Sequence, residues 1–140
     1  MYSNKDYEII DHTADIGIRV RANSLTMVIQ KSILAQSDLM NGGIEIEPRM
    51  KKEFVIKEED KETALVSILE EVLYLFEYEK FSASECSIKY HNNEYRIKLK
   101  GKYLKEEEIK NGIEIKAVTY HQLKIKKVDD SYLVNVIFDI

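Results

Sequence analysis

Residues 11–22, DHTADIGIRVRA, join a cluster of polar side chains to an alternating apolar run. Every second residue from Ile16 to Ala22 is apolar. This period of two predicts a β-strand with one face turned towards a core. Asn23 then tolerates a left-handed turn, and Ser24 is a favourable N-cap for a helix. The stretch therefore predicts a strand that leads directly into a helix.

Apolar residues at helical spacing predict two main helices. The first begins after Ser24 and ends at residues 41–43, Asn-Gly-Gly, because Asn and Gly accept a positive φ. The second begins after Asp60, which we expect to cap it. Its apolar stripe consists of Leu65, Ile68, Leu69, Val72, Leu73 and Phe76.

Strand-like segments account for most of the remaining chain. Residues 44–58 contain the only proline, Pro48, and predict edge strands or one broken strand. The runs that flank HNNE, residues 91–94, alternate and predict a hairpin. After a loop or short helical turn at 105–112, the chain is again rich in strand-like sequence up to its last residues.

Length and composition are those of a globular domain. The chain has 140 residues, of which 44% are hydrophobic and 33% are charged. No apolar run approaches the ~20 residues of a membrane span, and we expect no signal peptide. Two helices and several mostly antiparallel strands predict an α+β fold over a single domain, residues 1–140. We expect a two-layer sandwich of mostly antiparallel or mixed β-sheet with two main helices.

The cysteine and histidine content limits the possible chemistry. Cys86 is the only cysteine, so an internal disulfide is impossible and a reducing, cytoplasmic location is expected. Its place in an alternating run favours a buried structural thiol over a nucleophile. With three histidines, at positions 12, 91 and 121, the residues for a zinc site are few. The sequence also lacks the phosphate-binding, nucleophile-elbow and HExxH motifs.

The charge pattern gives little sign of a nucleic-acid-binding surface. The formal net charge is −4, whereas proteins that bind nucleic acid on their own usually carry a basic face. Lysines do cluster at 98–102, KLKGK, and at 124–128, KIKKV. Because these lysines alternate with apolar residues, the pattern favours the solvent-exposed face of a sheet.

Carboxylates are the strongest candidates for a functional site. Asp11 and Asp15 flank His12 and Thr13 just before the first alternating strand. One interpretation is a turn in which the Asp side chains bond to local backbone amides.

A second interpretation involves the far end of the sequence. Asp139 stands next to Ile140, the last residue, which would add a main-chain carboxylate. If these anions lie near Asp15, they repel one another unless a cation neutralises them. Oxygen ligands favour Ca²⁺, Mg²⁺ or Mn²⁺ over softer metals. Spacing in the sequence leaves open whether the three groups meet.

Several segments resemble the archease family in content and in order. They are DHTADIGI at 11–18, LYLFE at 73–77, EIKAVTYH at 114–121 and the final dipeptide DI. The resemblance runs from Tyr7 to Ile140. It implies one divalent cation, most simply Ca²⁺, with Mg²⁺ or Mn²⁺ as alternatives. The ligands it implies are Asp15, Asp139 and Ile140.

The same resemblance implies a protein cofactor and no independent enzyme. Archeases assist the RtcB-type RNA ligase in tRNA splicing and RNA repair. They promote the GTP- and metal-dependent guanylylation of that ligase and so support multiple turnover. RNA and GTP would then be reached through the ligase. The alternatives are a metal-dependent phosphoester hydrolase and a chaperone or modulator of RNA-modifying enzymes.

The resemblance motifs contain further residues with expected roles. We expect Asp11 and His12 to orient Asp15 and to fix the turn around it. Lys116 either contacts a nucleotide phosphate or the ligase, or extends into solvent. For Tyr120 and His121, packing within a strand is the simplest expectation.

Overall fold

The computed structural model describes residues 6–11 and 14–140, with only the backbone of Asp11. Within these residues the chain forms eight strands, two α-helices and a 3₁₀ turn at Glu106–Glu108. The strands and helices, in chain order, are β1 (Tyr7–Asp11), β2 (Asp15–Ala22), α1 (Leu25–Asn41), β3 (Met50–Lys57), α2 (Lys61–Glu79), β4 (Phe81–His91), β5 (Glu94–Tyr103), β6 (Ala117–Val118), β7 (Lys126–Val128) and β8 (Ser131–Asp139).

Both helices begin, and α1 also ends, where the sequence predicts. The Ser24 hydroxyl accepts a hydrogen bond from the Met27 N–H at 3.2 Å, and Gly42 ends α1 with a φ of 80°. The Asp60 carboxylate caps α2 by accepting the Thr63 N–H at 2.8 Å. Hydrogen bonds from Thr63 lower the pKa of Asp60. Neither described helix is long and apolar enough to cross a membrane.

The strands form two antiparallel sheets. The larger has the order β1-β2-β8-β6, and β7 also pairs with β8. The smaller has the order β3-β5-β4, which makes β3 an edge strand as the proline at position 48 predicts. Helix α1 contacts β2 and β8 of the larger sheet and β4 of the smaller one. Helix α2 packs on α1 and contacts β3, β4 and β6. The α+β fold is therefore confirmed.

The β4–β5 hairpin depends on two local features. Its turn consists of Asn92 and Asn93, with φ values of 48° and 61°, as a two-residue hairpin loop requires. At its other end the pairing register shifts between Ala83 and Glu85. There Gly101 lies so close to the Ser82 carbonyl that a Cβ atom at position 101 would collide with it. The predicted hairpin is confirmed.

The core lies where helices and sheets meet. The apolar positions that alternate in β2 and β8 are buried, as their sequences predict, and Gly17 and its partner Ile137 are buried as well. At the helix pair, the Gln36 side-chain amide donates a hydrogen bond to the Leu69 carbonyl at 3.0 Å. The buried side chains of these two strands include Ile16, Ile18, Val20, Val134, Val136 and Phe138.

Residues 113–128 contain less strand than their alternation predicts. Tyr120 and His121 were expected to pack within a strand, but both are exposed, Tyr120 by 57%. Here the Leu123 N–H donates to the Tyr120 carbonyl at 3.1 Å, and Gln122 has a φ of 52°, which makes a turn. Apolar residues of this segment are buried without a continuous hydrogen-bonded ladder. They include Ile115, Val118 and Ile125.

Candidate functional site

The pairing of β2 with β8 brings two distant carboxylates together. Asp15 opens β2, Asp139 closes β8, and the two residues are direct cross-strand partners. Cross-strand partners project their side chains from the same face, with Cβ atoms about 5 Å apart. The next pair is Ile16 with Phe138, and both side chains are buried. Because a one-residue slip would expose this pair, the core fixes the register that joins the two aspartates.

The surroundings of these aspartates leave negative charge uncompensated. Asp15 is half-buried, and its Oδ1 atom is buried without a hydrogen-bond partner among the described residues. Asp139 is exposed. Within the described part of the chain, neither carboxylate forms an ion pair with a lysine or arginine. Buried polar atoms are normally satisfied, and facing like charges destabilise a strand pair. A bound cation would relieve both conditions.

Main-chain groups complete the surroundings of the aspartate pair. The Ile140 N–H donates to the Ala14 carbonyl at 3.4 Å, and the Lys116 N–H donates to the Asp139 carbonyl at 2.8 Å. Among residues 6–11 and 14–140, no three His, Cys, Asp or Glu side chains are grouped to hold a metal ion. Any site here therefore needs an oxygen besides the two described carboxylates. Ile140, next to Asp139, is placed to offer a main-chain oxygen.

The other residues of the DHTAD motif are only partly described. The backbone of Asp11 pairs with Ile16 between β1 and β2. The Asp11 side chain and the whole of His12 and Thr13 lie outside the described residues. Their predicted role in orienting Asp15 stays a prediction.

Lys116 lies beside the aspartate pair through its backbone, and it also lines a separate cleft of about 540 Å³. The cleft lies between the C-terminal half of α2 and residues 106–116, and the Lys80 Nζ is 3.4 Å from the Glu106 Oε1 at its edge. Its apolar lining includes Met40, Leu73, Phe76 and Ile115. Sequence reasoning missed this cleft. The one signal was the acidic run at 105–112, which forms the expected loop with a short helical turn.

Cys86 is a structural thiol, as its position in the sequence predicts. Its side chain is buried, and this burial raises the pKa of the thiol to about 12 from 9.0. At pH 8 the folded protein then holds roughly a thousandfold less thiolate than the unfolded chain.

We therefore expect iodoacetamide at pH 8 to alkylate Cys86 at least about a hundredfold more slowly in the native protein than in urea. The rate is measured by mass spectrometry, and a free peptide that contains cysteine serves as the control in both solutions. Equal rates in the native and denatured protein would show a reactive thiol.

The comparison with known proteins decides the family. The profile of the archease protein family (MTH1598/TM1083) matches residues 7–140. The chain belongs to the archease family. Among archease relatives, the protein archease of Thermococcus kodakarensis is 34% identical over 130 residues, which are 90% of this chain and 92% of the relative. That of Methanosarcina barkeri is also 34% identical, over 97% of each chain.

Solved structures of this family share the fold. The solution structure of Methanobacterium thermoautotrophicum protein 1598 has a TM-score of 0.78 and 25% identity, over 97% of this chain and 99% of that one. The 2.0 Å crystal structure of an archease from Thermotoga maritima, described as a possible chaperone, has a TM-score of 0.69 and 27% identity. It is matched over 94% of each chain. The archease resemblance in the sequence is thus confirmed.

Proposed function

We propose that this archease-family chain is a protein cofactor of an RtcB-type RNA ligase in tRNA splicing and RNA repair. It promotes the GTP- and metal-dependent guanylylation of the ligase and sustains multiple turnover. It catalyses no reaction alone, and it reaches RNA and GTP through the ligase. Family membership supports this proposal. The observation that carries it is the buried Oδ1 of Asp15, which has no hydrogen-bond partner within residues 6–11 and 14–140 and lies opposite Asp139.

The donor set fits a hard divalent cation. Asp15 and Asp139 supply carboxylate oxygens, and a main-chain oxygen of Ile140 would be the third donor. Oxygen ligands with flexible geometry suit Ca²⁺ best, with Mg²⁺ or Mn²⁺ as alternatives. When bound, the cation would supply the positive charge that the facing carboxylates lack. Asp15, Asp139 and Ile140 would hold the cation at the junction of β2 and β8.

Lys116 is the residue that we propose to contact the ligase or its nucleotide. It is exposed at the edge of the 540 Å³ cleft, and its N–H is bonded to the carbonyl of Asp139. This bond ties the position of Lys116 to the end of β8. An ammonium group suits contact with a phosphate or carboxylate on the partner.

We place the protein in the cytoplasm, where a single buried thiol such as Cys86 stays reduced.

The decisive test measures guanylylation and RNA joining by a purified RtcB-type ligase with GTP and divalent metal. We expect the chain to increase both the guanylylated fraction and the number of turnovers. The chain without ligase should process neither RNA nor GTP. Turnover by the chain alone would indicate a phosphoester hydrolase. Absence of stimulation together with protection of unrelated unfolded proteins would indicate a chaperone.

Within this assay, Lys116→Ala is expected to lose most of the stimulation, because it removes the proposed contact with the partner. Lys110→Ala is the matched control, since Lys110 is exposed in the same loop segment and does not line the cleft. Both variants should keep the melting temperature and the metal affinity of the wild type. Full stimulation by Lys116→Ala would leave this lysine as a solvent-exposed side chain only.

A further inference from the structure

The face of the smaller sheet that points away from the helices is basic, although the whole chain has a formal net charge of −4. Alternate residues of β3, β4 and β5 project from this outer face. Six cations and three glutamates lie on it. They are Lys51, Lys57, Lys89, Arg96, Lys98 and Lys100, with Glu53, Glu85 and Glu94. The outer face thus carries a formal charge of opposite sign to that of the chain.

The strand register arranges these cations in neighbouring rows. Lys51 lies opposite Lys100, and Arg96 lies opposite Lys89. Along β5, Arg96, Lys98 and Lys100 follow one another at every second residue, about 6.8 Å apart. The β4–β5 hairpin and the more distant strand β3 therefore supply one continuous basic surface.

Half of these cations have no partner of opposite charge in the part of the chain that the structure describes. Arg96 and Lys98 bond to Glu94 and Glu53 at 2.8 and 3.7 Å, and Lys57 lies 3.9 Å from Glu94. Lys51, Lys89 and Lys100 form no ion pair with the described residues. The existing ion pairs lie at the surface, and surface ion pairs contribute little to stability. An incoming anion can therefore replace the glutamates.

The centre of the outer face holds a shallow depression of about 300 Å³. Lys89, Arg96 and Lys98 line it together with the exposed Ser87, whose hydroxyl can donate to a phosphate oxygen. One carboxylate, that of Glu53 beside Lys98, also lines it. Val55, 45% exposed, is the one large apolar side chain that the strands expose on this face. Protein interfaces are built around apolar and aromatic anchors, which this face lacks. Its chemistry suits a chain of phosphates.

We propose that the outer face of the β3-β5-β4 sheet binds the phosphate backbone of single-stranded RNA. Binding is independent of base sequence, because the contacts are made to phosphates and not to base edges. Affinity is modest, with a dissociation constant of about 10–100 μM. This contact is direct and separate from the route to RNA through the ligase. It does not depend on the proposed function, because the chain alone should bind.

The test is fluorescence anisotropy of a labelled single-stranded oligouridine with the wild-type chain at several salt concentrations. Each neutralised phosphate contributes a slope of about −0.7 to a plot of log affinity against log salt. Lys51→Gln, Lys89→Gln and Lys100→Gln are combined in one variant. We expect it to bind roughly ten- to a hundredfold more weakly at low salt and to reduce the slope by about 2.

The matched control removes three lysines from the other basic run of the sequence. Lys124→Gln, Lys126→Gln and Lys127→Gln are exposed positions on or next to β7, in the larger sheet. This control changes the net charge equally, so it should leave the slope unchanged if the outer face is the site. In the opposite direction, Glu53→Gln should tighten binding about two- to fivefold by removing a negative charge beside Lys98.

Several results would overturn the proposal. One is no binding of oligouridine at low salt. Another is an equal loss of affinity in both triple variants. A third is equally tight binding of an uncharged polymer such as dextran. Polyglutamate that binds the wild type while oligouridine does not would replace RNA by an acidic protein partner. Circular dichroism and melting temperature confirm that each variant is folded. Ligase is absent throughout, so failure here is distinct from failure of the proposed cofactor role.

Discussion

Replacing Asp15 with Asn is expected to weaken Ca²⁺ binding by at least about a hundredfold without unfolding the protein. The substitution keeps the shape of the side chain and removes one of the two carboxylates that the structure places side by side. Isothermal titration calorimetry measures the affinity. Asp130→Asn, an exposed turn position, removes the same charge elsewhere and should leave affinity unchanged. Ile140→Val should also bind normally, because it keeps the main-chain oxygen.

The same variant should change stability in opposite directions with and without metal. Without metal, Asp15→Asn relieves the repulsion of Asp139, so it should be as stable as the wild type or more stable by up to about 1 kcal/mol. With Ca²⁺ at about a hundredfold above the dissociation constant, the wild type gains about 2.7 kcal/mol and the variant gains nothing comparable. Thermal unfolding with and without Ca²⁺ measures both effects. Unchanged affinity in Asp15→Asn would remove Asp15 from the site.

Phe138→Ala should produce a large loss of stability. Phe138 is fully buried, lies opposite Ile16 and Val118, and precedes Asp139. Truncating a buried Phe to Ala costs about 3–5 kcal/mol, which lowers the melting temperature by roughly 10–20 °C for a chain of this size. Differential scanning calorimetry measures this change.

The matched control for Phe138→Ala is Phe81→Ala in the smaller sheet. Phe81 is 2% exposed, so its truncation should destabilise the fold by a similar amount. At a temperature where both variants are folded, only Phe138→Ala should lower Ca²⁺ affinity, because it loosens the strands that hold Asp15 and Asp139. Equal affinities in the two variants would show that packing at Phe138 does not position the aspartates.

Local chemistry made much of the fold predictable. Ser24 and Asp60 cap the helices because their side-chain oxygens accept otherwise unpaired backbone N–H groups. Asn92 and Asn93 allow the positive φ values of the β4–β5 turn. These signals act over a few residues, so the sequence displays them directly. The regular alternation at 113–128 predicted too much strand, because an irregular backbone can bury the same apolar residues.

The candidate site was only partly predictable for the opposite reason. The sequence marked Asp15 and Asp139 as unusual, but their pairing depends on the register of β2 with β8. The outer basic face was not predictable from the run at 98–102 alone. Lys51 and Lys89 reach it from other segments, through the pairing of three strands. Long-range pairing reflects packing of the whole core, which no local pattern encodes.

The central place of β8 in the larger sheet also has a consequence for folding during synthesis. β8 is synthesised after β2, β6 and β7, yet all three pair with it. Until it emerges, the nascent chain carries an open edge on β2 that could pair wrongly with another chain. The pairing of β2 with β8 joins residues that are separated by nearly the whole sequence, and such pairing is slow. Since Asp15 and Asp139 meet only when β8 docks, capture of a cation would occur only in molecules that have finished folding.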